Sequence, residues 1–331
     1  MKLKSLNIFA RSLTAGLLTA TALSGTAMAQ DFEVAYLSAS SANTWLATSL
    51  TEMRKVAEAN GIAITEFDGQ FDPARQTAQT QDVIASGRYD GMIIASINGP
   101  GAVPDIENAL AQGMKVVILN QVVGTDLTTS EPQVEGISAS VLVAPYRSGT
   151  RLGDMTVMAC EGIDPCEVAY IYGIKGTPLD TAVRQGFDDV TGTHANITVI
   201  AEGEGKYLGP DGGIVATQDI LQVNDGFDVM VGPDQAIQGS EIVLDEEGML
   251  DRVKLIGFGG SAPAFAGIAS GAWFGTVMGA PADEGRLAME AMVDALTTGN
   301  AQGGIDALSA MPDDGKVTAG NVDQFTAQWD G

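Results

Sequence analysis

The chain has 331 residues, of which 42 are acidic and 17 are basic, so its formal net charge is −25 at pH 7. Such a surface repels nucleic acid and anionic membranes, which excludes nucleic-acid-binding functions. The length allows two domains with cores of their own, and the composition is that of a globular protein.

The N-terminus has the pattern of a secretory signal peptide. A basic leader, MKLKSLNIFAR, precedes an apolar stretch at 13–23 and the small residues of an A-x-A motif at 27–29. The apolar stretch is too short to span a bilayer permanently, and a buried N-terminal helix is the alternative interpretation. We expect residues 1–29 to be removed, the mature chain to begin at Gln30, and the protein to act in the periplasm.

After the leader, apolar strand-like runs alternate with helix-like segments. The helix-like segments carry apolar residues at helical spacing and end in glycine. Strands that are apolar throughout and separated by single helices indicate a parallel sheet covered on both faces. The predicted strands of this first series lie at 33–39, 63–69, 91–96 and 115–121.

The pattern then restarts, because EVAYIYG at 167–173 repeats the order of EVAYLSA at 33–39. Two successive β/α series predict an α/β protein with two doubly wound parallel-sheet domains. A last helix is predicted at 284–300. The predicted strands of the second series lie at 167–173, 197–203, 228–234, 254–260 and 273–279.

The chain has two cysteines and one histidine. In an exported protein, Cys160 and Cys166 favour a disulfide that ties a helix end to the next strand. With His194 in a polar loop, the ligands for a zinc site are too few. We predict no metal and no cofactor.

The carboxyl ends of the predicted strands are where a ligand binds in an open parallel sheet. These ends are small, amide-bearing or rich in glycine, as at Ser96, Asn120, Gln121 and Gly259. Such a lining suits a neutral polar molecule that is bound and released. No G-x-S-x-G motif occurs, and Tyr207 follows Lys206 where a phosphate loop needs a hydroxyl residue.

Four further side chains near the strand ends are candidates for ligand contact. Trp45 and Tyr207 are suited to stacking on a sugar ring, with a place in the core as the alternative for Trp45. Arg184 has donors for ligand oxygens, but a surface salt bridge is equally compatible with its position. Asp180 lies one helical turn earlier and either pairs with Arg184 or flanks a ligand with it.

Several stretches together resemble the periplasmic sugar-binding proteins of ABC transporters, in the ribose/galactose-like type I class. The resemblance covers essentially the whole mature chain. The stretches that carry it are EVAYLSASSANTWLATSL, DGQFDPARQTAQTQDVIASGRYDGMIIAS, KGTPLDTAVRQGF, KLIGFGG and VTAGNVDQFTAQWDG.

This resemblance implies two lobes joined by a three-segment hinge that close over one small ligand. The implied lobes are residues 30–138 with 281–307, and residues 139–280 with 308–331. The resemblance also implies ligand contacts at Asn43, Trp45, Ser96 and Tyr207.

The chain departs from sugar binders at several implied contact positions. Those proteins commonly carry Asp-Arg where Asn120-Gln121 stand, Asp at Gly259 and Gln at Gly279, and their arginine lies one place from Arg184. Pro233-Asp234 and Asp180-Thr181 look more like the branch of rhamnose and autoinducer receptors. Charged clamps on sugar hydroxyls are therefore largely absent.

We therefore expect a monomeric receptor that captures a small neutral sugar, polyol or related compound and delivers it to an ABC permease in the membrane. The alternative function is a secreted hydrolase or lyase that acts on a carbohydrate through a pair of carboxylates.

Overall fold

The computed structural model describes residue 1, residues 32–309 and residues 311–331. Apart from residue 1, the predicted signal peptide and its cleavage site lie outside these described residues. Within the described part of the chain, every helix is too short or too polar to cross a membrane.

The first sheet contains six strands, all of them parallel. Its strands are β1 (Glu33–Ser38), β2 (Ala63–Asp68), β3 (Gly91–Ile94), β4 (Lys115–Leu119), β5 (Ala139–Val141) and β11 (Gly303–Ile305). They lie in the order β11-β5-β4-β3-β1-β2. Both faces of β3 and β4 are buried, which explains their unbroken apolar sequences.

Helices cover both faces of this sheet. They are α1 (Thr44–Ala59), α2 (Pro73–Ser86), α3 (Gly99–Ala111) and α9 (Pro281–Thr297). Val34 and Tyr36 pack towards α1 and α9, whereas Ala35 and Leu37 pack towards α2 and α3. The alternation along β1 follows from the two-residue period of a strand.

The second sheet repeats this arrangement and adds one antiparallel strand. Its strands are β6 (Cys166–Tyr172), β7 (Ile197–Glu204), β8 (Val229–Pro233), β9 (Lys254–Gly259), β10 (Trp273–Met278) and β12 (Lys316–Thr318). They lie in the order β12-β10-β9-β8-β6-β7, with β12 antiparallel to β10.

Five helices cover the second sheet, and they are α4 (Pro145–Ala159), α5 (Pro178–Thr191), α6 (Pro210–Val223), α7 (Asp234–Glu246) and α8 (Ala262–Ser270). Helices α4 and α5 share one core with the sheet, and α6, α7 and α8 share the other. Two short 3-10 helices lie at Pro312–Gly315 and Val322–Gln324. The predicted fold class, two doubly wound parallel-sheet units, is confirmed.

The chain passes between the two sheets three times, after β5, after β10 and after β11. We call the first sheet with its helices the first lobe and the second sheet with its helices the second lobe. The predicted lobe limits differ from sheet membership at one point. They assign 139–141 to the second lobe, but these residues form β5 and pair with β4 in the first sheet.

The predicted disulfide between Cys160 and Cys166 is present. Cys160 caps the end of α4, and Cys166 is the first residue of β6. The bond therefore ties a helix end to the next strand, as the sequence predicts.

Candidate ligand-binding cleft

A cavity of about 590 Å³ lies between the lobes, at the carboxyl ends of the strands of both sheets. This is the position at which ligands bind in open α/β sheets. Six predicted site residues line the cavity, and they are Asn43, Trp45, Ser96, Asn120, Gln121 and Tyr207.

Asn43 lines the cavity and joins the two lobes. Its Oδ1 accepts a hydrogen bond of 3.0 Å from the backbone N–H of Leu46 and so caps helix α1. Its Nδ2 donates a bond of 2.9 Å to the backbone carbonyl of Tyr207 in the second lobe. One side chain thus begins a helix of the first lobe and holds the second lobe against it.

Glu284 is the central polar group of the cavity wall. It stands in the first turn of α9 and is 1% exposed. Its Oε2 accepts two hydrogen bonds, one of 3.2 Å from the indole N–H of Trp45 and one of 3.1 Å from Asn120 Nδ2. Burial raises the pKa of Glu284 to about 7, against the effect of these bonds, and nearby Asp306 adds to the rise.

The amide pair after β4 faces this carboxylate. Asn120 has a φ of 62°, in the left-handed region that Asn tolerates better than most residues. Gln121 Nε2 donates to Asn120 Oδ1 at 2.8 Å, and Asn120 Nδ2 donates onwards to Glu284. Two neutral amides fit here because a buried acceptor needs donors that bring no further negative charge.

Two tryptophans meet at the floor of the cavity. The ring centroids of Trp45 and Trp329 lie 5.3 Å apart with an interplanar angle of 69°, an edge-to-face contact. The Trp45 ring covers Gly279, and the Trp329 ring covers Gly259, so neither glycine has room for a side chain. The Trp329 indole N–H donates to the Gly259 carbonyl at 2.7 Å. The indoles therefore fill the space into which side chains at 259 and 279 would project.

Asp180 lies outside the cavity lining and holds the lining residue Tyr207 in place. It is buried, and its carboxylate accepts bonds from the backbone N–H groups of Gly173 (2.7 Å) and Ile174 (3.1 Å). It also accepts a bond of 3.2 Å from the hydroxyl of Tyr207, whose ring lies over Gly173. Burial raises the pKa of Asp180, with these hydrogen bonds acting in the opposite direction. Asp180 is thus outside the lining and positions Tyr207, which is inside it.

Arg184 is outside the cavity lining, and its predicted ligand contact stays a prediction. Its guanidinium donates to Asp188 at 2.7 Å and to the Tyr172 hydroxyl at 2.8 Å, and it pairs with Glu202. The salt-bridge alternative is therefore the observed one. Thr181 is exposed on α5 and is also outside the lining.

Three predicted site residues at strand ends of the second lobe, Pro233, Asp234 and Gly259, are also outside the cavity lining. Asp234 is fully buried and accepts bonds from the Ser261 N–H (2.7 Å) and the Thr276 hydroxyl (2.8 Å). Burial raises its pKa to about 6. Pro233 ends β8 beside it, and Gly259 lies beneath Trp329. These three residues organise the strand ends, and their predicted ligand contacts stay predictions.

Sequence reasoning missed several lining residues. Glu284 was predicted only as the start of a helix, and Trp329 only as part of the closing segment of the family resemblance. Gln235, at the start of α7, falls within the predicted strand end at 232–235 but was not predicted as a ligand contact. The usable signals were an acidic residue in a helix first turn, and one of three tryptophans in a chain with 6% aromatic residues.

Comparisons with known proteins agree with this arrangement. The sequence model of the family described as periplasmic binding protein domain matches residues 34–301. The ribose import binding protein RbsB of Bacillus subtilis (strain 168) is 24% identical over 264 residues, which cover 78% of this chain and 80% of that protein.

Two solved structures illustrate the likeness of fold. An ABC transporter solute-binding protein from Mycobacterium smegmatis with bound glycerol has a TM-score of 0.75 at 23% identity, covering 91% of this chain and 99% of that one. The Caulobacter myo-inositol-binding protein, bound to myo-inositol, has a TM-score of 0.76 at 19% identity, covering 89% of this chain and 96% of that one. Because the family match extends over most of the chain, this protein belongs to the periplasmic binding protein family.

Proposed function

We propose that this protein is a periplasmic receptor that captures a small sugar, polyol or related solute between its lobes and delivers it to an ABC import permease. The observation that carries the proposal is the cavity between the lobes, whose polar lining groups retain unused hydrogen-bonding capacity. One relative is named a ribose import binding protein, and two solved structures with the same fold contain bound glycerol or myo-inositol. These ligands support the proposed ligand class.

Three of these unused groups belong to Ser96, Gln121 and Glu284 in the first lobe. The Ser96 hydroxyl is buried and has no hydrogen-bond partner in the described part of the chain. The side-chain carbonyl of Gln121 and Oε1 of Glu284 likewise accept no hydrogen bond from the described residues, while their other polar atoms are engaged. A polyhydroxylated ligand supplies donors and acceptors for all three groups.

The lining also argues for binding without turnover. A glycoside hydrolase that works through carboxylates needs two of them across the scissile bond. Among the described lining residues Glu284 is the one carboxylate, because Asp180 and Asp234 are engaged in hydrogen bonds behind the wall. We therefore propose no covalent chemistry at this site.

The proposal also covers the location of the protein and its oligomeric state. The leader at 1–29 supports export to the periplasm, with cleavage before Gln30, and we propose that the mature receptor acts as a monomer. Intact mass of the exported protein and light scattering check these two points.

A thermal-shift screen tests the function. The mature protein is heated with ribose, arabinose, galactose, allose, myo-inositol or glycerol, and a ligand raises the melting temperature by mass action. We expect at least one of these solutes to raise it, and the Ser96→Ala variant to show a smaller rise. A Ser86→Ala variant, at the end of α2 and outside the cavity, serves as the control. Turnover of a glycoside without any stabilising solute would reject the receptor.

A further inference from the structure

The first lobe contributes apolar residues to the cavity, including Leu46, Phe71 and Ile97, together with a group of polar side chains. The groups with unused hydrogen-bonding capacity at Ser96, Gln121 and Glu284 all belong to the first lobe. We call them the polar end of the cavity. On the second lobe, several polar lining side chains are already occupied. Lys175 pairs with Glu202 at 2.6 Å, and the Tyr207 hydroxyl donates to Asp180.

The remaining second-lobe lining is mainly apolar. Ile174, Pro178, Leu179 and Phe258 line the cavity, and each is only partly buried. We call these four residues the apolar wall. Ser148 and Gln235 are the second-lobe lining residues whose side chains have no hydrogen bond to other described residues.

A sugar alone does not match this wall. A hydroxyl placed against apolar side chains loses its hydrogen bonds to water without replacement, which costs free energy. An apolar group placed there gains roughly 25 cal/mol for each Å² removed from water. The cavity of about 590 Å³ lies within the range of roughly 300–1,000 Å³ that is typical of small-molecule sites, which leaves room for a sugar with a further group attached.

We propose that the ligand is a glycoside, with its hydroxyl-bearing ring at the polar end and an apolar aglycone against the apolar wall. This proposal rests on the proposed function, because it names the ligand class of the same cavity. Oε1 of Glu284 accepts hydrogen bonds from hydroxyl groups of the ring. Ile174 and Leu179 pack against the apolar aglycone and so select for it.

Calorimetric titration of the mature protein tests the ligand class. The probes are ribose, arabinose and galactose, together with the methyl, n-butyl and phenyl glycosides of each sugar. We expect affinity for one sugar series to rise roughly fourfold per added methylene, since each buried methylene contributes about 0.8 kcal/mol, and the phenyl glycoside to bind more tightly than the free sugar.

Two variants test the wall itself. Ile174 lies in the loop after β6. Ile174→Ser is expected to lower affinity for the n-butyl glycoside about tenfold, while affinity for the methyl glycoside stays within about twofold. Leu179→Ser is expected to act in the same direction. The control is Ile242→Ser on α7, which is 45% exposed and outside the lining. Melting temperatures of the ligand-free variants show whether each one folds.

The outcomes separate the two proposals. A free sugar that binds as tightly as its n-butyl and phenyl glycosides overturns the glycoside proposal and leaves the receptor function standing. The glycoside proposal is likewise overturned if Ile174→Ser and Leu179→Ser leave the butyl-to-methyl affinity ratio unchanged. If neither sugars nor glycosides bind, and the solutes of the thermal-shift screen also fail, the receptor function itself is rejected.

Discussion

At the scale of single residues, the cavity is organised around one buried carboxylate. Oε2 of Glu284 accepts hydrogen bonds from both Trp45 and Asn120. Gln121 donates a hydrogen bond to Asn120 and so orients it. The neutral amides after β4 are thus explained by a partner 164 residues away in sequence. A charged pair at these positions would change both the charge and the hydrogen bonding of the cavity wall.

Glu284 should make the stability of the ligand-free protein depend on pH. Its pKa is raised from 4.5 to about 7 in the folded state, so the folded protein holds this proton more tightly than the unfolded chain. The free energy of unfolding should therefore fall as pH rises through this window, by roughly 3 kcal/mol from Glu284 alone. Asp234, raised from 3.8 to about 6, acts in the same direction at lower pH.

Urea unfolding at pH 5 and pH 8 measures this effect in the wild type and in Glu284→Gln. The glutamine keeps an acceptor for Trp45 and Asn120 but does not titrate, so the variant should lose most of the difference between the two pH values. Parallel pH dependence in the two proteins would show that Glu284 does not titrate in this range.

Trp45 should contribute directly to ligand affinity. Trp45→Ala is expected to weaken binding of the solute found in the screen by roughly 1–3 kcal/mol, because it removes an aromatic surface from the cavity floor. Trp45→Phe keeps a ring and loses the bond to Glu284, so its loss should be smaller. Calorimetry checks both variants, and an unchanged affinity in Trp45→Ala would assign this side chain to the core alone.

At the scale of helices and strands, the sequence predicted the order of elements well. The unbroken apolar runs of β3 and β4 and the glycine that ends α2 are local signals, and the structure places them as expected. The start of α9 was less accurate, since the helix begins at Pro281 rather than Glu284. Proline at the first helical position was the signal that marked the true start.

Helix α1 offers a test of the contact between the lobes. Asn43→Asp keeps an oxygen to cap the helix but loses the donor to the Tyr207 carbonyl, so ligand affinity should fall while thermal stability changes little. Asn43→Ala loses both roles and should also destabilise the protein by about 1 kcal/mol. Equal ligand affinity in wild type and Asn43→Asp would show that this contact does not support closure.

The link between α4 and β6 offers a second test at this scale. The disulfide closes a loop with a sequence separation of 6 residues. Replacing both cysteines with serine should lower the free energy of unfolding by about 2 kcal/mol on the chain-entropy account. Ligand affinity should stay the same, because neither cysteine lines the cavity. A change in affinity without a loss of stability would contradict this account.

At the scale of the whole molecule, several contacts join the two lobes, among them a pair of hydrogen bonds between Asp283 and Gln328. Asn43 bonds to Tyr207, and the Trp45 ring meets Trp329 and Gly279. On the hinge side, Arg151 of α4 lies 2.7 Å from Asp314 in the last crossover, and this contact lowers the pKa of Asp314. We expect ligand binding to shift the balance between open and closed arrangements of the lobes.

The sequence predicted the fold of the whole molecule better than its site. Strand order follows from local patterns repeated along the chain, whereas the cavity depends on residues brought together from distant segments. Asp234 lies in a sequence motif that predicts ligand contact, but in the structure its carboxylate is buried and accepts hydrogen bonds from Ser261 and Thr276. Glu284 and Trp329 lie in no motif that predicts a binding site. They line the cleft because the chain crosses between the lobes before each of them.

Isothermal titration calorimetry of the mature protein with the sugars and polyols of the screen tests the central claim most directly. A receptor with one cavity between its lobes should bind one solute class at a ratio of one ligand per chain, with the solute recovered unchanged. Heat that reflects continuous conversion of a glycoside, or no binding to any sugar, polyol or glycoside, would contradict the account.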